Sequence, residues 1–454
     1  MKPECRLDLS DKQRNILRKR REALMQSIGN GIALVVSAKA NSGPAGYRAA
    51  FRQDSDFMYL TGCPETDSLA VFIPQHPQHK SILFIRESDP LTELWNGPML
   101  GVSAAQEQLG FDIVLPLSEI EKKIPEWLTH ADSIYWDAAP ELEFYDVLRP
   151  ILQGSRLRRN GAEILNVRDV IHELRLFKDE LEIESLQRAN DIASRAHELA
   201  MRATRPGLSE FQIQALLEMS MRYAGSSQLG YPSIVAAGAN ACCLHYNINN
   251  SRLAEGDLLL IDAGCESNFY TADITRTWPV NGKFSDEQKA IYELVLESQL
   301  KSIDAIRPGV KLTELNDLAG KVLAEGLIHL GIIKTSLEET LEKKTHKEFF
   351  PHGLGHWLGL DVHDVGRYRI KNIERLLEPG MCMTVEPGIY IQPGMANVDA
   401  RWHGIGIRIE DNILVTAQGS RNLTTCVKST NDLEALVGTL STAPLRDALG
   451  FDLV

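Results

Sequence analysis

The chain has 454 residues, 44% of them hydrophobic and 24% charged, an ordinary composition for a globular protein. Its net charge of −13 excludes general binding to nucleic acid or to anionic membrane, which needs an excess of base. The cysteines (Cys5, Cys63, Cys242, Cys243, Cys265, Cys382 and Cys426) form no Cys-x-x-Cys pair, which fits a reducing compartment better than a disulfide framework. The length exceeds one ordinary core and predicts two domains. No apolar run reaches the ~18–20 residues of a membrane span. Met1–Arg6 leads into a charged stretch, not an apolar signal region, so a cytoplasmic protein is expected.

Ser10 and the pair Leu17/Leu24 predict a helix over 10–28. Strands are predicted at Gly31–Ser37, Val71–Ile73, Ser81–Ile85, Ile113–Leu115 and Ser133–Trp136, with helical stretches between several of them. This is an α/β pattern. Within it, Tyr47–Gly62 mixes aromatics with arginine and carboxylates, and reads equally as a polar loop or as a functional strip. A charged helix is predicted from Glu163 to Leu176. Phe177-Lys178-Asp179-Glu180 marks a junction, and a long helix follows to about Thr204 on the spacing of Leu186, Ala189, Ile192, Ala193 and Ala196. The domain boundary is placed there, giving domains 1–173 and 174–454.

The second part repeats itself. Arg205-Pro-Gly207 follows one long helix, and Arg307-Pro-Gly309 follows another that begins after the predicted cap Ser285. Proline and glycine stop each helix, and an amphipathic helix comes next. Further on, Glu255–Asp262 matches Pro379–Glu386. The same spacing separates Gly256 from Gly380 and Asp262 from Glu386. Each copy reads as a turn, an apolar strand and a carboxylate at the strand end. A duplicated α/β half packed two-fold on itself would turn these carboxylates towards each other.

Phe350–Gly366 carries His352, His356 and His363 among Gly353, Gly355 and Gly359. The glycines argue against a helix, and the stretch reads as backbone bent close to something at which imidazoles point. Asp273 follows Asp262 after Gly264 and Asn268, so a hairpin would bring both aspartates together. Glu410 lies in the strand pattern Gly404–Val415. Four carboxylates in apolar surroundings need cations. With one imidazole they suit a pair of Mn²⁺, Co²⁺, Fe²⁺ or Zn²⁺ ions, bridged by two of the carboxylates.

These motifs resemble a known family. Leu259-Leu-Ile-Asp262-Ala-Gly264, Thr271-Ala-Asp273-Ile-Thr-Arg-Thr277, His352-Gly-Leu-Gly-His356-Trp-Leu-Gly359, Thr384-Val-Glu386-Pro-Gly-Ile-Tyr390 and Ile407-Arg-Ile-Glu410-Asp411 are similar to the ligand motifs of the pita-bread metallopeptidases. Within that group, Phe51–Gly62 is similar to the N-terminal signature of aminopeptidase P (Xaa-Pro aminopeptidase). The resemblance covers residues 10–430; nothing from Asn431 onwards contributes. It implies a mixed α/β (α+β) chain with a creatinase-like N-terminal domain and a C-terminal pita-bread domain of pseudo-two-fold symmetry. It implies two divalent ions per chain, foremost Mn²⁺, held by Asp262, Asp273, His356, Glu386 and Glu410, with Asp273 and Glu410 bridging. His245, His363 and Arg408 would act in catalysis. Tyr231 and His352, with His245 and Arg408, would bind substrate, with Tyr231 and His352 walling the proline ring.

The implied activity is removal of the first residue from peptides with proline second, by a hydroxide held between the metals. The strip Arg52/Asp54/Asp56/Tyr59 would cap the site or that of a neighbouring subunit, and a homo-oligomer, dimer or tetramer, is expected. Prolidase shares the ligands but cuts only dipeptides, and methionine aminopeptidase lacks such an N-terminal domain. A non-catalytic pita-bread module would be expected to lose ligands, and all five are present here.

Overall fold

A computed structural model describes residues 7, 9–40, 51–129, 131–139, 144–154 and 161–440. The chain forms two compact units, Met1–Arg175 and Leu176–Val454. Among the described residues no helix is long and apolar enough to cross a membrane.

The first unit opens with the helix Asp11–Ile28. The Ser10 hydroxyl accepts from the Gln13 N–H, and the Gln13 amide reaches back to the Ser10 N–H, closing a capping box. Leu17, Leu24 and Ile28 form its buried stripe. Strands β1 (Ile32–Val36), β2 (Leu69–Phe72), β3 (Ser81–Ile85), β4 (Ile113–Pro116), β5 (Ser133–Trp136) and β6 (Glu163–Leu165) build one sheet in the order β4-β3-β2-β1-β5-β6. The pairs β1–β2 and β2–β3 are antiparallel and the others parallel. Apart from Ser81 the central strands are apolar, and all are buried, as strands covered on both faces must be.

One expectation fails here. Glu163–Leu176 is not a single helix: Glu163–Leu165 is an edge strand beside β5, and the helix begins at Arg168. Asn166 sets the break, because its side-chain oxygen accepts the Arg168 N–H at 2.9 Å and starts the helix there. The open edge of β5 then takes the three residues before it, and pairing overrides helical propensity.

Tyr47–Ala50 of the mixed strip lie outside the described residues. Several of the remaining residues have partners within the first unit. Gln53 is buried, accepts from the Ala38 and Asp54 N–H groups, and donates to the Cys63 and Glu65 carbonyls. Asp54 caps the helix Ser55–Thr61. Asp56 is 2% exposed and bonds Arg175 at 2.7 Å and His172 at 3.1 Å, with Arg168 at 3.5 Å. Arg168 also pairs with Asp54 and Asp137.

The second unit is a duplication. Helices Glu180–Ala203 and Glu210–Tyr223 precede β7 (Ile234–Ala237), β8 (Leu258–Asp262), β9 (Glu266–Ser267), β10 (Tyr270–Thr271) and β11 (Thr275–Pro279). Helices Asp286–Ala305 and Leu312–His329 then precede β12 (Arg369–Ile370), β13 (Ile373–Glu374), β14 (Cys382–Val385), β15 (Gly388–Ile391), β16 (Ile405–Arg408), β17 (Asp411–Thr416) and β18 (Gly419–Asn422). The repeat extends to backbone conformation. Gly207 and Gly309 have φ of +91° and +89°, and Gly256 and Gly380 have +85° and +95°, a region that a side chain would strain.

Strand β8 pairs with β7 and β11, which sets Asp262 opposite Thr275. The small β9–β10 hairpin lies between β8 and β11 and turns at Asn268 and Phe269, both at positive φ. In the other half, β14 pairs with β17, and β15 with β16. The expected single strand over 404–415 is therefore two strands, broken at Ile409-Glu410. The break faces Glu386-Pro387, where β14 passes into β15. Proline has no N–H to continue the ladder, and the one bond across the gap runs from the Ile409 N–H to the Pro387 carbonyl. The helix Thr430–Leu436 seats Leu433 in the core, so part of the segment after Asn431 is structural; residues 441–454 lie outside the described residues.

The Asp56 cluster yields a stability prediction. Burial alone would raise the Asp56 carboxyl; the His172 hydrogen bond and the Arg175 charge outweigh it and bring it from 3.8 down to about 2. A depressed folded-state value means stability that is complete above about pH 4 and lost as pH falls towards 2. Asp56→Ala leaves Arg175 facing a void and should cost about 3–5 kcal/mol in thermal or denaturant unfolding. An unchanged midpoint would contradict this role.

Candidate metal centre

The centre is built at strand ends. Asp262 is the last residue of β8, and Asp273 lies two before β11. Glu386 and Glu410 sit at the two points where the chain passes from one sheet to another. His356 comes from an irregular segment laid along β14. The Thr384 N–H donates to the His356 carbonyl, the Leu358 N–H to Cys382 and the Glu386 N–H to Leu354. The segment lies so close that a Cβ on Gly355 would fall 2.0 Å from the Thr384 carbonyl oxygen. As expected, Phe350–Gly366 holds no helix.

Ligand atoms of Asp273, His356 and Glu410 lie within 4.8 Å of one another. His356 Nε2 is 3.4 Å from both Asp273 Oδ2 and Glu386 Oε1. Its Nδ1 is 3.0 Å from the Trp357 carbonyl, so Nδ1 carries the proton and Nε2 faces the carboxylates. Asp262 joins through Tyr231, whose hydroxyl is 2.6 Å from Asp262 Oδ1 and 2.5 Å from Asp273 Oδ1. The sequence reading put Tyr231 in a pocket wall; its polar end is spent between two carboxylates.

Arg408 is likewise engaged on three sides. It donates to Asp262 Oδ2 at 2.6 Å, to the Tyr390 hydroxyl at 2.9 Å and to Thr275 Oγ1 at 3.1 Å. Tyr390 accepts from Arg408, so its own proton goes to His352 Nε2 at 2.8 Å, and His352 Nδ1–H donates to the Gly353 carbonyl. That chain fixes the His352 tautomer. Burial, then Arg408, lowers His352 to about 3, so it stays neutral. His363 stands edge-to-face against His356 with ring centroids 4.3 Å apart. Burial and the His356 charge lower it too. His245 sits in an exposed loop, near enough for its charge to act on both His352 and His363.

The sequence reading assigned no role to several supporting residues. Thr275 donates to Glu410 Oε2 at 2.6 Å, and Thr384 to Glu386 Oε1 at 3.1 Å. Asn412 brackets the Asp273 peptide, accepting from its N–H at 2.9 Å and donating to its carbonyl at 2.5 Å. Thr275 and Thr384 each stand two residues from a carboxylate, and alternation along an extended chain was the signal available for them. Arg276, wholly buried, donates to the Glu410, Thr275, Cys426 and Val427 carbonyls and to Asp411. It ties β11 to the switch point.

The electrostatics follow from placing four carboxylates, Asp273 and Glu410 buried and Asp262 and Glu386 half-buried, against one guanidinium and one imidazole. Burial, then mutual repulsion, raises Glu410 far above the usual range. Glu386 rises to about 7 through burial, against the His356 charge. Asp262 also rises with burial, although Arg408 opposes it. In Asp273 burial is overcome by the His356 hydrogen bond, and the carboxyl is lowered. Burial would lower His356, but Asp273 lifts it to about 9. Fully ionised, the four carboxylates would outnumber Arg408 and His356 and leave excess negative charge at the site, which the protein groups alone resist. An oxygen-rich donor set with one imidazole fits divalent transition ions and Zn²⁺.

The duplicated fold and this donor set define a metallopeptidase of the pita-bread class. Comparison with known proteins agrees. Residues 184–417 match the profile of metallopeptidase family M24, and residues 17–135 that of the aminopeptidase P N-terminal domain. The chain belongs to family M24. It is 42% identical to the Xaa-Pro aminopeptidase of Escherichia coli strain K12 over 438 residues, 94% of this chain and 99% of that one. It is 43% identical to the Haemophilus influenzae Xaa-Pro aminopeptidase over 389 residues, 85% of this chain and 88% of that one. Among solved structures, the Pseudomonas aeruginosa aminopeptidase PepP superposes with a TM-score of 0.89 at 42% identity, covering 93% of this chain and 97% of that one. A zinc-substituted E. coli aminopeptidase P in complex with product gives 0.89 at 41% identity, covering 95% and 98%.

A bound ion stabilises the state that holds it, so divalent loading should raise the thermal midpoint of the wild type. Asp273→Asn and Glu410→Gln should abolish that rise. Without metal, Glu410→Gln should melt no lower than the wild type, because an uncharged side chain costs less to bury beside the other carboxylates. A full metal-dependent rise in either variant would show that these side chains do not hold the ion.

Proposed function

We propose that this protein is a metal-dependent Xaa-Pro aminopeptidase that releases the first residue of peptides with proline in second position. The observation that carries the reading is the cluster of Asp273, His356 and Glu410, with Glu386 beside His356 and Asp262 held by Arg408, on a chain matching Xaa-Pro aminopeptidases along almost its whole length. Residues 1–173 form an N-terminal aminopeptidase-P-type domain and 174–454 the catalytic domain. The five side chains hold a pair of divalent ions, Mn²⁺ in the native protein. When bound, such ions make water nucleophilic at neutral pH and polarise a carbonyl. The protein acts in the cytoplasm as a homo-oligomer on peptide substrates.

The chain's own residues do the rest. His363 and His245 reach the open side of the centre, and each supplies an N–H to the oxygen that gains charge as the peptide carbon becomes tetrahedral. Lowering of His363 by burial keeps it neutral, so one ring nitrogen remains free to take a proton. His352, locked by Tyr390 and Gly353, offers a flat ring face beside Glu386 for the proline ring. Proline carries no N–H, so a site that binds its ring face loses nothing that an extended-chain peptidase would need. Arg408 and Tyr231 act from beneath. Their polar ends belong to Asp262, Asp273, Thr275 and Tyr390, and they orient the ligands. Asp56, neutralised by Arg175 and His172, is not available to repel a substrate carboxylate. Discrimination against dipeptides therefore does not come from that residue.

Two measurements test the reading. Under one metal loading, Ala-Pro-Ala should be cleaved efficiently, Ala-Pro no faster, and Ala-Ala-Ala far more slowly, because alanine underfills the site and brings an unpaired N–H. Cleavage confined to Ala-Pro would make the protein a prolidase, and equal rates on Ala-Ala-Ala would remove the proline site. Separately, His245→Ala and His363→Ala should each lower kcat by about 10²–10³ with metal content unchanged. Loss of metal in both variants would reassign those histidines as ligands.

A further inference from the structure

The geometry points to Glu210 as the positioning residue for His245, an inference that rests on the catalytic reading of His245 above. Glu210 is the first residue of the helix Glu210–Tyr223 and is fully buried. Its carboxylate accepts four hydrogen bonds, all from neutral donors. Oε1 takes the Ala237 N–H at 2.7 Å and the Asn240 side-chain amide at 2.9 Å; Oε2 takes the Tyr246 hydroxyl and the Ser251 N–H, both at 2.8 Å. Every lone-pair position of the fork is filled.

These partners belong to one excursion of the chain. Ala237 ends β7, Asn240 lies in the first turn beyond it, Tyr246 follows His245, and Ser251 is where the chain returns to pair with the helix start. The loop around His245 is exposed at Cys243, Asn247 and Ile248, and it is nailed down by the Tyr246 ring, buried with Ile234, Ala236, Ala241 and Leu260. Glu210 thus holds the departure, the first turn, the neighbour of the imidazole and the return.

The duplication shows that the helix itself does not need this group. In the second half the bridge Lys311↔Leu376 stands where Ser209↔Arg252 stands in the first, and the residue that then begins the helix is Leu312. Burying a carboxylate among neutral donors is costly, and a leucine starts the equivalent helix. What the carboxylate adds in the first half is four acceptors on one rigid fork, beneath the loop that carries His245.

The test is a double-mutant cycle on the metal-loaded, full-length protein with Ala-Pro-Ala as substrate. Glu210→Gln puts an amide N–H against donors that cannot all reverse. It should lower kcat by about 10-fold or more, with KM and metal content near wild type, since small displacements of a catalytic group are felt strongly. On the His245→Ala background the same substitution should change kcat by less than about two-fold, because there is no imidazole left to position. Tyr246→Phe, which removes one donor and preserves the buried ring, should show the same pattern more weakly and serves if Glu210→Gln does not fold. Equal losses on both backgrounds, or full kcat in Glu210→Gln, would overturn the inference. Full kcat in His245→Ala would overturn the catalytic reading itself, and the positioning role with it.

Discussion

Four carboxylates buried around one arginine and one imidazole are the constraint on which the rest of the second unit depends. Left alone, such a group resists ionisation: Glu386 rises to about 7 and Glu410 further still. A fold that keeps them together must hold each against the repulsion of the others, and it does so with hydrogen bonds. Thr275, Thr384, Tyr231 and Arg408 each spend their polar ends on the set. Breaking one member of such a network leaves another unpaired in a dry site, which is why its parts act as a unit.

The strands are arranged to the same end. A carboxylate within a regular ladder would point into an apolar face or out to solvent. Glu386 and Glu410 instead occupy the two places where the chain leaves one sheet and joins another, with Pro387 opposite Ile409. Arg276 fills the space behind that switch and satisfies the carbonyls it would otherwise leave exposed to the core. Asn412 holds the Asp273 peptide from the first residues of β17, so the aspartate and the glutamate are fixed by neighbouring positions of one strand. The same economy runs through the first unit, where Asp56 ties a short helix to the helix Arg168–Leu176 and Gln53 bonds the backbone on either side of it.

Much of this was legible in the sequence because duplication writes itself twice. Gly256 and Gly380, spaced as Asp262 and Glu386 are, with a carboxylate after each apolar strand, located Asp262 and Glu386 in the sequence, and both glycines do take positive φ. The central strands of the first sheet were equally plain, since strands covered on both faces read as largely apolar runs. The errors have physical causes. Glu163–Leu165 has helical periodicity over too few residues, and an open sheet edge captured it. The break at Glu410 was hidden because apolar residues recur on both sides of it, from Ile405 to Ile409 and from Ile413 to Val415, and Pro387, remote in sequence, is what interrupts its partner. The strip from Phe51 to Gly62 could be read as a polar loop or as a functional strip, because the partners of its carboxylates, Arg168, His172 and Arg175, lie more than a hundred residues away.

The central claim is that this charge excess is the seat of the metal. The most direct measurement is anomalous scattering at the metal edge from crystals of the manganese-loaded protein. The account predicts a pair of neighbouring peaks enclosed by Asp262, Asp273, His356, Glu386 and Glu410, with Tyr231 and Arg408 outside bonding distance. A single peak, or peaks bound elsewhere on the chain, would contradict it.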